Sequence, residues 1–180
     1  VDRGSFSLEP FLFADGQLVT WADAEITQQL EDGSLPIPSA RWRANGFALT
    51  TTAFATAVSG DPGLFVRYRI ENTGDAPRVA RLFCALRPFQ VNPPWQAFRG
   101  LGGACAVGEL RWHAGAVWVD ERKPVIPLDA PSGFGAAAFE QGGVERLLER
   151  GEVPPRDQVN DAFRHASGAL RFDLELAPGA

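Results

Sequence analysis

The feature that most constrains this chain is a strict two-residue alternation of apolar and polar side chains, in short runs that each end in turn-forming residues. From Leu64 onward, Leu64, Val66, Tyr68 and Ile70 fall on one side and Arg67, Arg69 and Glu71 on the other, the period of a half-buried strand. A second run follows from Arg78 to Leu86, with Ala80, Leu82, Cys84 and Leu86 on one face. Between them Asn72-Thr73-Gly74-Asp75-Ala76-Pro77 is dense in turn formers, so the two runs are expected to pair as an antiparallel hairpin. The clearest turn is Asn45-Gly46, between Ser39 to Ala44 and Phe47 to Val58. A two-residue primed turn there sets Trp42 opposite Leu49 and Ala44 opposite Phe47, with Arg41 and Arg43 across from Thr50 and Ala48.

The same reading extends along the chain. Ser5 to Leu8 is expected to be a short strand, and Pro10 to Trp21 a hairpin about Asp15-Gly16. Glu25 to Leu30 alternates as a strand, Leu35-Pro36-Ile37-Pro38 reads as a rigid connector, and Ser59 to Gly63 as a turn. Beyond residue 103, strands are expected over Ala104 to Val107, Glu109 to His113, Ala116 to Asp120, Val125 to Leu128 and Gly133 to Glu140. Val144 to Arg150 is the one helix, with Gly151 at its C-terminal cap; a polar surface excursion runs to Ala166, and Leu170 to Leu176 closes the domain. About a dozen short strands with closely spaced turns imply an all-β fold, an antiparallel two-sheet β-sandwich with one short helix, over residues 1–180 as a single domain.

Composition excludes several classes. A net charge of −5 with arginines spread along strands gives no phosphate-tracking stripe, so nucleic acid is not expected as a partner. No apolar run reaches the roughly 18 residues of a membrane span, and a soluble domain is expected. With Val1 first and no methionine, the chain reads as a piece of a longer multidomain protein, and its one lysine against sixteen arginines matches a high-GC bacterial coding bias. Cys84 and Cys105 sit among small apolar residues and read as buried thiols rather than a disulfide framework.

Catalytic signatures are sparse. His113 and His165 have no Cys, His, Asp or Glu at metal-ligand spacing, so neither a metal nor another cofactor is expected. Ser132 is in no nucleophile-elbow context, and Gly100-Leu101-Gly102-Gly103 precedes no helix that would cradle a phosphate. Asp120-Glu121 and Glu31-Asp32 are the carboxylate pairs a glycoside hydrolase would need, but they fall in turns, where solvated charge is the ordinary role. The loop from Arg87 to Arg99 differs. Arg87, Gln90, Asn92, Gln96 and Arg99 offer planar donors and acceptors, Phe89, Trp95 and Phe98 offer apolar faces, and Pro88, Pro93 and Pro94 stiffen the path. That mixture suits carbohydrate binding or a domain interface equally.

Leu35-Pro36-Ile37-Pro38-Ser39, Tyr68 to Asn72 and Arg87 to Gln96 carry a likeness. The chain resembles the β-sandwich region of large bacterial coagulation factor 5/8 type (discoidin) domain proteins, which is similar to the supersandwich accompanying six-hairpin glycosidase-like domains. The resemblance implies a supersandwich-like, non-catalytic module of a carbohydrate-active protein. It would pack through Arg87, Phe89, Gln90, Asn92, Trp95, Gln96 and Arg99 against an adjoining helical catalytic domain of the same chain, or against carbohydrate. A free-standing carbohydrate-binding module and a glycoside hydrolase using surface carboxylates are the alternatives. The catalytic His pair and Glu of galactose-mutarotase-like supersandwich enzymes have no counterpart around His113 and His165.

Overall fold

The computed structural model describes residues 6–58, 61–90 and 104–179. In chain order the strands are β1 (Phe6–Ala14), β2 (Gln17–Val19), β3 (Glu25–Glu31), β4 (Leu35–Ala44), β5 (Phe47–Val58), β6 (Asp61–Asn72) and β7 (Arg78–Gln90). They continue as β8 (Ala104–Cys105), β9 (Glu109–His113), β10 (Ala116–Val119), β11 (Lys123–Val125), β12 (Gly133–Ala137), β13 (Gln158–Asn160) and β14 (Ser167–Leu176), with α1 at Glu145–Leu148. The fold is all-β, with antiparallel sheets and one short helix, as expected. Contacts gather the chain into two compact units, Val1–Leu18 with Arg81–Leu174 and Val19–Ala80 with Glu175–Ala180.

The first unit is layered. One sheet runs β12-β14-β7-β1-β2 with β8 added beside β7, and the other runs β11-β10-β9-β13. Leu110, Val117, Val119 and Val159 share the inner face of the smaller sheet and are all buried. It meets the larger sheet where the Trp112 ring stacks on Phe134, 6.0 Å between centroids. A Cβ on Gly168 would come within 3.2 Å of the Leu110 side chain, so the absence of a side chain there lets the sheets approach. The other face of the larger sheet, with Phe11, Phe83, Ala85 and Ala169, is covered by Val144 and Leu148 of the helical turn. The helix is shorter than Val144 to Arg150. Its stop is the expected one, for Gly151 has φ +74° and its N–H donates to Leu148 O.

The second unit is one sheet, β3-β4-β5-β6. Asn45 (φ +50°) and Gly46 (φ +74°) form the expected primed turn, and the register sets Trp42 opposite Leu49, Ala44 opposite Phe47, Arg41 opposite Thr50 and Arg43 opposite Ala48.

Several expectations need correction. The runs Leu64 to Ile70 and Arg78 to Leu86 do not form a hairpin: β6 pairs with β5, while β7 lies between β14 and β1 in a different sheet. The connector explains why, because the buried Asn72 amide donates to Ala76 O (2.8 Å) and Leu176 O (3.1 Å) and accepts from Gly74 N–H (3.0 Å), fixing a wide turn. Leu35 to Pro38 belongs to a strand rather than a connector. Leu30 pairs with Pro38 but Glu31 with Leu35, so a bulge absorbs Pro36 and Ile37. Strand β7 continues past Leu86 through Pro88, and its pairing with β8 begins only at Phe89. The polar excursion contains a strand, β13, on the edge of the smaller sheet.

Cys84 is buried in β7, whereas Cys105 pairs opposite Phe89, five positions further along that strand. At roughly 3.3 Å per residue this is far beyond disulfide reach.

Candidate functional site

Of the residues singled out between Arg87 and Arg99, two can be followed with their side chains. Arg87 is held within the first unit, where its guanidinium pairs with Glu9 and with Glu145 (3.0 Å) and lies 5.6 Å from the Phe11 ring centroid. Its carbonyl accepts from Ser7 Oγ at 3.3 Å. Two carboxylates from distant parts of the chain thus occupy the planar fork that the sequence suggested would face a partner. Phe89 remains 37% exposed beside the short β8 strand. Gln90 ends β7 with its backbone opposite Ala104. Asn92, Trp95, Gln96, Phe98 and Arg99 lie outside the described residues.

The carboxylate pairs serve turns. Asp32 (φ +50°) and Gly33 (φ +73°) turn the chain between β3 and β4. Asp120 (φ +49°) and Glu121 (φ +54°) do the same after β10, and Asp120 Oδ1 accepts from the N–H groups of Gly108 (2.8 Å) and Glu109 (2.9 Å). Asp120 Oδ2 also pairs with Arg164 at 3.5 Å. A carboxylate engaged in this way is a brace between loops. His113 sits exposed next to the β9–β10 turn, and the His165 ring lies 5.7 Å from that of Phe139. Among the described residues no group of three His, Cys, Asp or Glu side chains is placed to hold a metal ion. Among those residues, too, no helix is long and apolar enough to cross a membrane.

A larger feature lies in the second unit. The registers of β3 to β6 place Ile26, Trp42, Leu49 and Ile70 in one row, Gln28, Ala40, Thr51 and Tyr68 in the next, and Leu30 and Pro38 beyond, followed on β5 and β6 by Ala53 and Val66, then Ala55 and Leu64. No charged residue occurs in these rows. The opposite face carries Arg41, Arg43, Arg67, Arg69 and Glu71, with Glu71 bridging Arg41 (2.6 Å) and Arg69 (3.0 Å). Alternation predicted this division exactly along β4 and β6, but not how much of the apolar face stays open. Leu49 is buried, whereas Ile26 (38%), Leu30 (44%) and Leu64 (70%) are not. A shallow depression of about 480 Å³ lies on this face around Leu30, Pro38, Ala40 and Ala53.

No known family model matches the chain, and no curated protein matches it.

Proposed function

We propose that this chain is a non-catalytic β-sandwich module of a bacterial carbohydrate-active multidomain protein, and that it packs against the helical catalytic domain of the same parent chain. The observation that carries this reading is the charge-free face of the β3-β4-β5-β6 sheet, on which Ile26, Leu30 and Leu64 are open. Soluble domains seldom leave several large apolar side chains of one sheet face in water, since each Å² of apolar surface withdrawn from it is worth about 25 cal/mol. The carbohydrate context comes from the likeness of Leu35 to Ser39, Tyr68 to Asn72 and Arg87 to Gln96 to the β-sandwich region of bacterial coagulation factor 5/8 type (discoidin) domain proteins, which is similar to the supersandwich beside six-hairpin glycosidase-like domains. The commitment of Asp32, Asp120 and Glu121 to turns favours a binding role over hydrolysis by this module.

The test is to express this module and the remainder of its parent chain separately and to measure their association with and without Leu30→Glu and Leu64→Glu. Both side chains are exposed, so the isolated module should keep its stability within about 0.5 kcal/mol. Association should weaken by at least about tenfold, the factor for 1.4 kcal/mol. Unaltered association would overturn the proposal.

A further inference from the structure

The sheet of the second unit ends in two strands with an unused edge. β3 pairs with β4 and β6 with β5, and among the described residues no strand adds to the outer edge of either. All seven residues of β3 are exposed, and Leu64 on β6 is 70% exposed. Such an edge presents a row of backbone N–H and C=O groups that a further strand can satisfy. Proline, which would interrupt that row, is absent from Glu25–Glu31 and from 63–71.

The two edges are complementary in charge. On the polar face β3 begins with Glu25 and ends with Glu31, whereas β6 carries Arg67 and Arg69 there. Arg69 reaches Glu71 at 3.0 Å, but among the described residues neither Glu25 nor Arg67 has an ion-pair partner. The edges also run in opposite directions, because three successive antiparallel pairings separate them. β3 of one copy of the chain can therefore lie antiparallel beside β6 of another and continue the alternation of the sheet.

Side chains alternate along both strands, so only registers that keep apolar beside apolar are admissible. One of these matches every residue of β3 with positions 63–69. It sets Leu30 opposite Leu64, Ile26 opposite Tyr68 and Glu25 opposite Arg69, with Arg67 diagonal to Glu25. Leu30 (44% exposed) and Leu64 (70%) would then cover one another, and Tyr68 would shield Ile26 (38%). Like edges do not match in this way. β3 laid on β3 over its full length sets Glu25 against Glu31 twice, and β6 laid on β6 about Arg67 sets that arginine against its own copy, and like charges directly opposite are destabilising.

We infer that this chain associates head to tail with further copies of itself, β3 of each copy adding to β6 of the next. Every junction leaves one β3 and one β6 open. Sheet twist turns successive strands by roughly 20–25°, so the contact winds onward rather than closing and gives an open chain of copies. The apolar rows run on from copy to copy, so the proposed docking face is lengthened and not covered. Self-association does not depend on that function. It is measured without the remainder of the parent chain, and the charged pair that specifies it lies on the opposite face, so failure of one and failure of the other are distinguishable.

The experiment is sedimentation velocity with light scattering on the 180-residue chain over a concentration series reaching about 1 mM. The mean mass should rise continuously past that of a dimer, with Kd per junction near or below about 1 mM. Glu25→Arg and Arg69→Glu should each weaken the junction by about tenfold, since each sets like charges opposite one another. The melting temperature should hold, because both side chains are exposed. The double reversal Glu25→Arg with Arg69→Glu restores an opposite pair and should recover the growth in mass. A monomer at every concentration, growth that stops at a dimer, single reversals without effect, or a double reversal as weak as either single one would each overturn the inference.

Discussion

The guanidinium of Arg78 lies 3.9 Å over the ring of Phe47, and the same group donates a 2.6 Å hydrogen bond to Asn45 O. Arg78, which opens β7 and belongs to the second unit, therefore clamps the Asn45-Gly46 turn of that same unit. Gly46 is where this clamp leaves least room, because a Cβ there would fall 2.6 Å from Arg78 Nη1. Gly46→Val adds that clash to a positive φ that a β-branched residue resists, and should cost roughly 1–3 kcal/mol. Arg78→Ala should cost about 1 kcal/mol through loss of the cation–π contact and the hydrogen bond. Chemical denaturation of each variant checks both, and an unchanged midpoint for Gly46→Val would contradict the turn geometry.

Asn72 is fully buried, and its amide closes the turn onto Ala76 and Leu176. Asn72→Ala leaves two carbonyls and the Gly74 N–H without this partner and should destabilise by about 3 kcal/mol. Asn72→Asp, which keeps the acceptor but loses both donors and buries a charge, should be no better. Full stability in the aspartate variant would show that the amide donors do not matter.

Gly135 of β12 tolerates no side chain, since a Cβ would lie 1.8 Å from Pro154 O, and Pro154 is itself buried. Backbone cannot yield as a flexible side chain can, so Gly135→Ala should cost about 3 kcal/mol, the upper range for overpacking. Loss of protection from hydrogen exchange should begin at the neighbouring Ala136 N–H, which donates to Arg156 O at 2.7 Å.

Arg87 is only 27% exposed and faces two carboxylates. Arg87→Ala should destabilise the module by roughly 1–3 kcal/mol, since it leaves Glu9 and Glu145 together without their cation. If Arg87 were instead a hot spot for a partner, as its place in the proline-rich run suggested, the isolated module would melt unchanged. Thermal melting of the isolated variant separates the two roles.

Asp23 closes a capping box on the short turn Trp21–Asp23, accepting from the Thr20 hydroxyl (2.7 Å) and the Thr20 N–H (2.9 Å). These bonds hold its carboxyl below the ordinary aspartate range, the side-chain bond contributing most. A carboxylate depressed in the folded state stabilises it above its unfolded pKa and loses that contribution as pH falls through the folded value. Carboxyl titration followed by NMR should place the Asp23 midpoint below that of an unstructured aspartate. Asp23→Asn should remove the local pH dependence of the Thr20 amide.

What the sequence by itself determined is what neighbouring residues decide. Asn45-Gly46 sets a two-residue turn, and with it the register of every pair from Ala44–Phe47 to Ser39–Thr52, because positive φ at both positions admits one hairpin geometry. Alternation likewise assigned the two faces of β6. Tertiary structure decided which strands far apart in sequence pair, since the same alternation fits any antiparallel partner. It placed β7 between β14 and β1 and buried both its faces, with Phe83 and Ala85 as inaccessible as Leu86, where local pattern suggested a hairpin with β6. The candidate site divides in the same way. Nothing near Arg87 in sequence announces Glu9, 78 positions away, or Glu145, 58 positions away. Such contacts form only once the chain has met the entropic cost of closing long loops, and the choice among competing closures belongs to the packed whole.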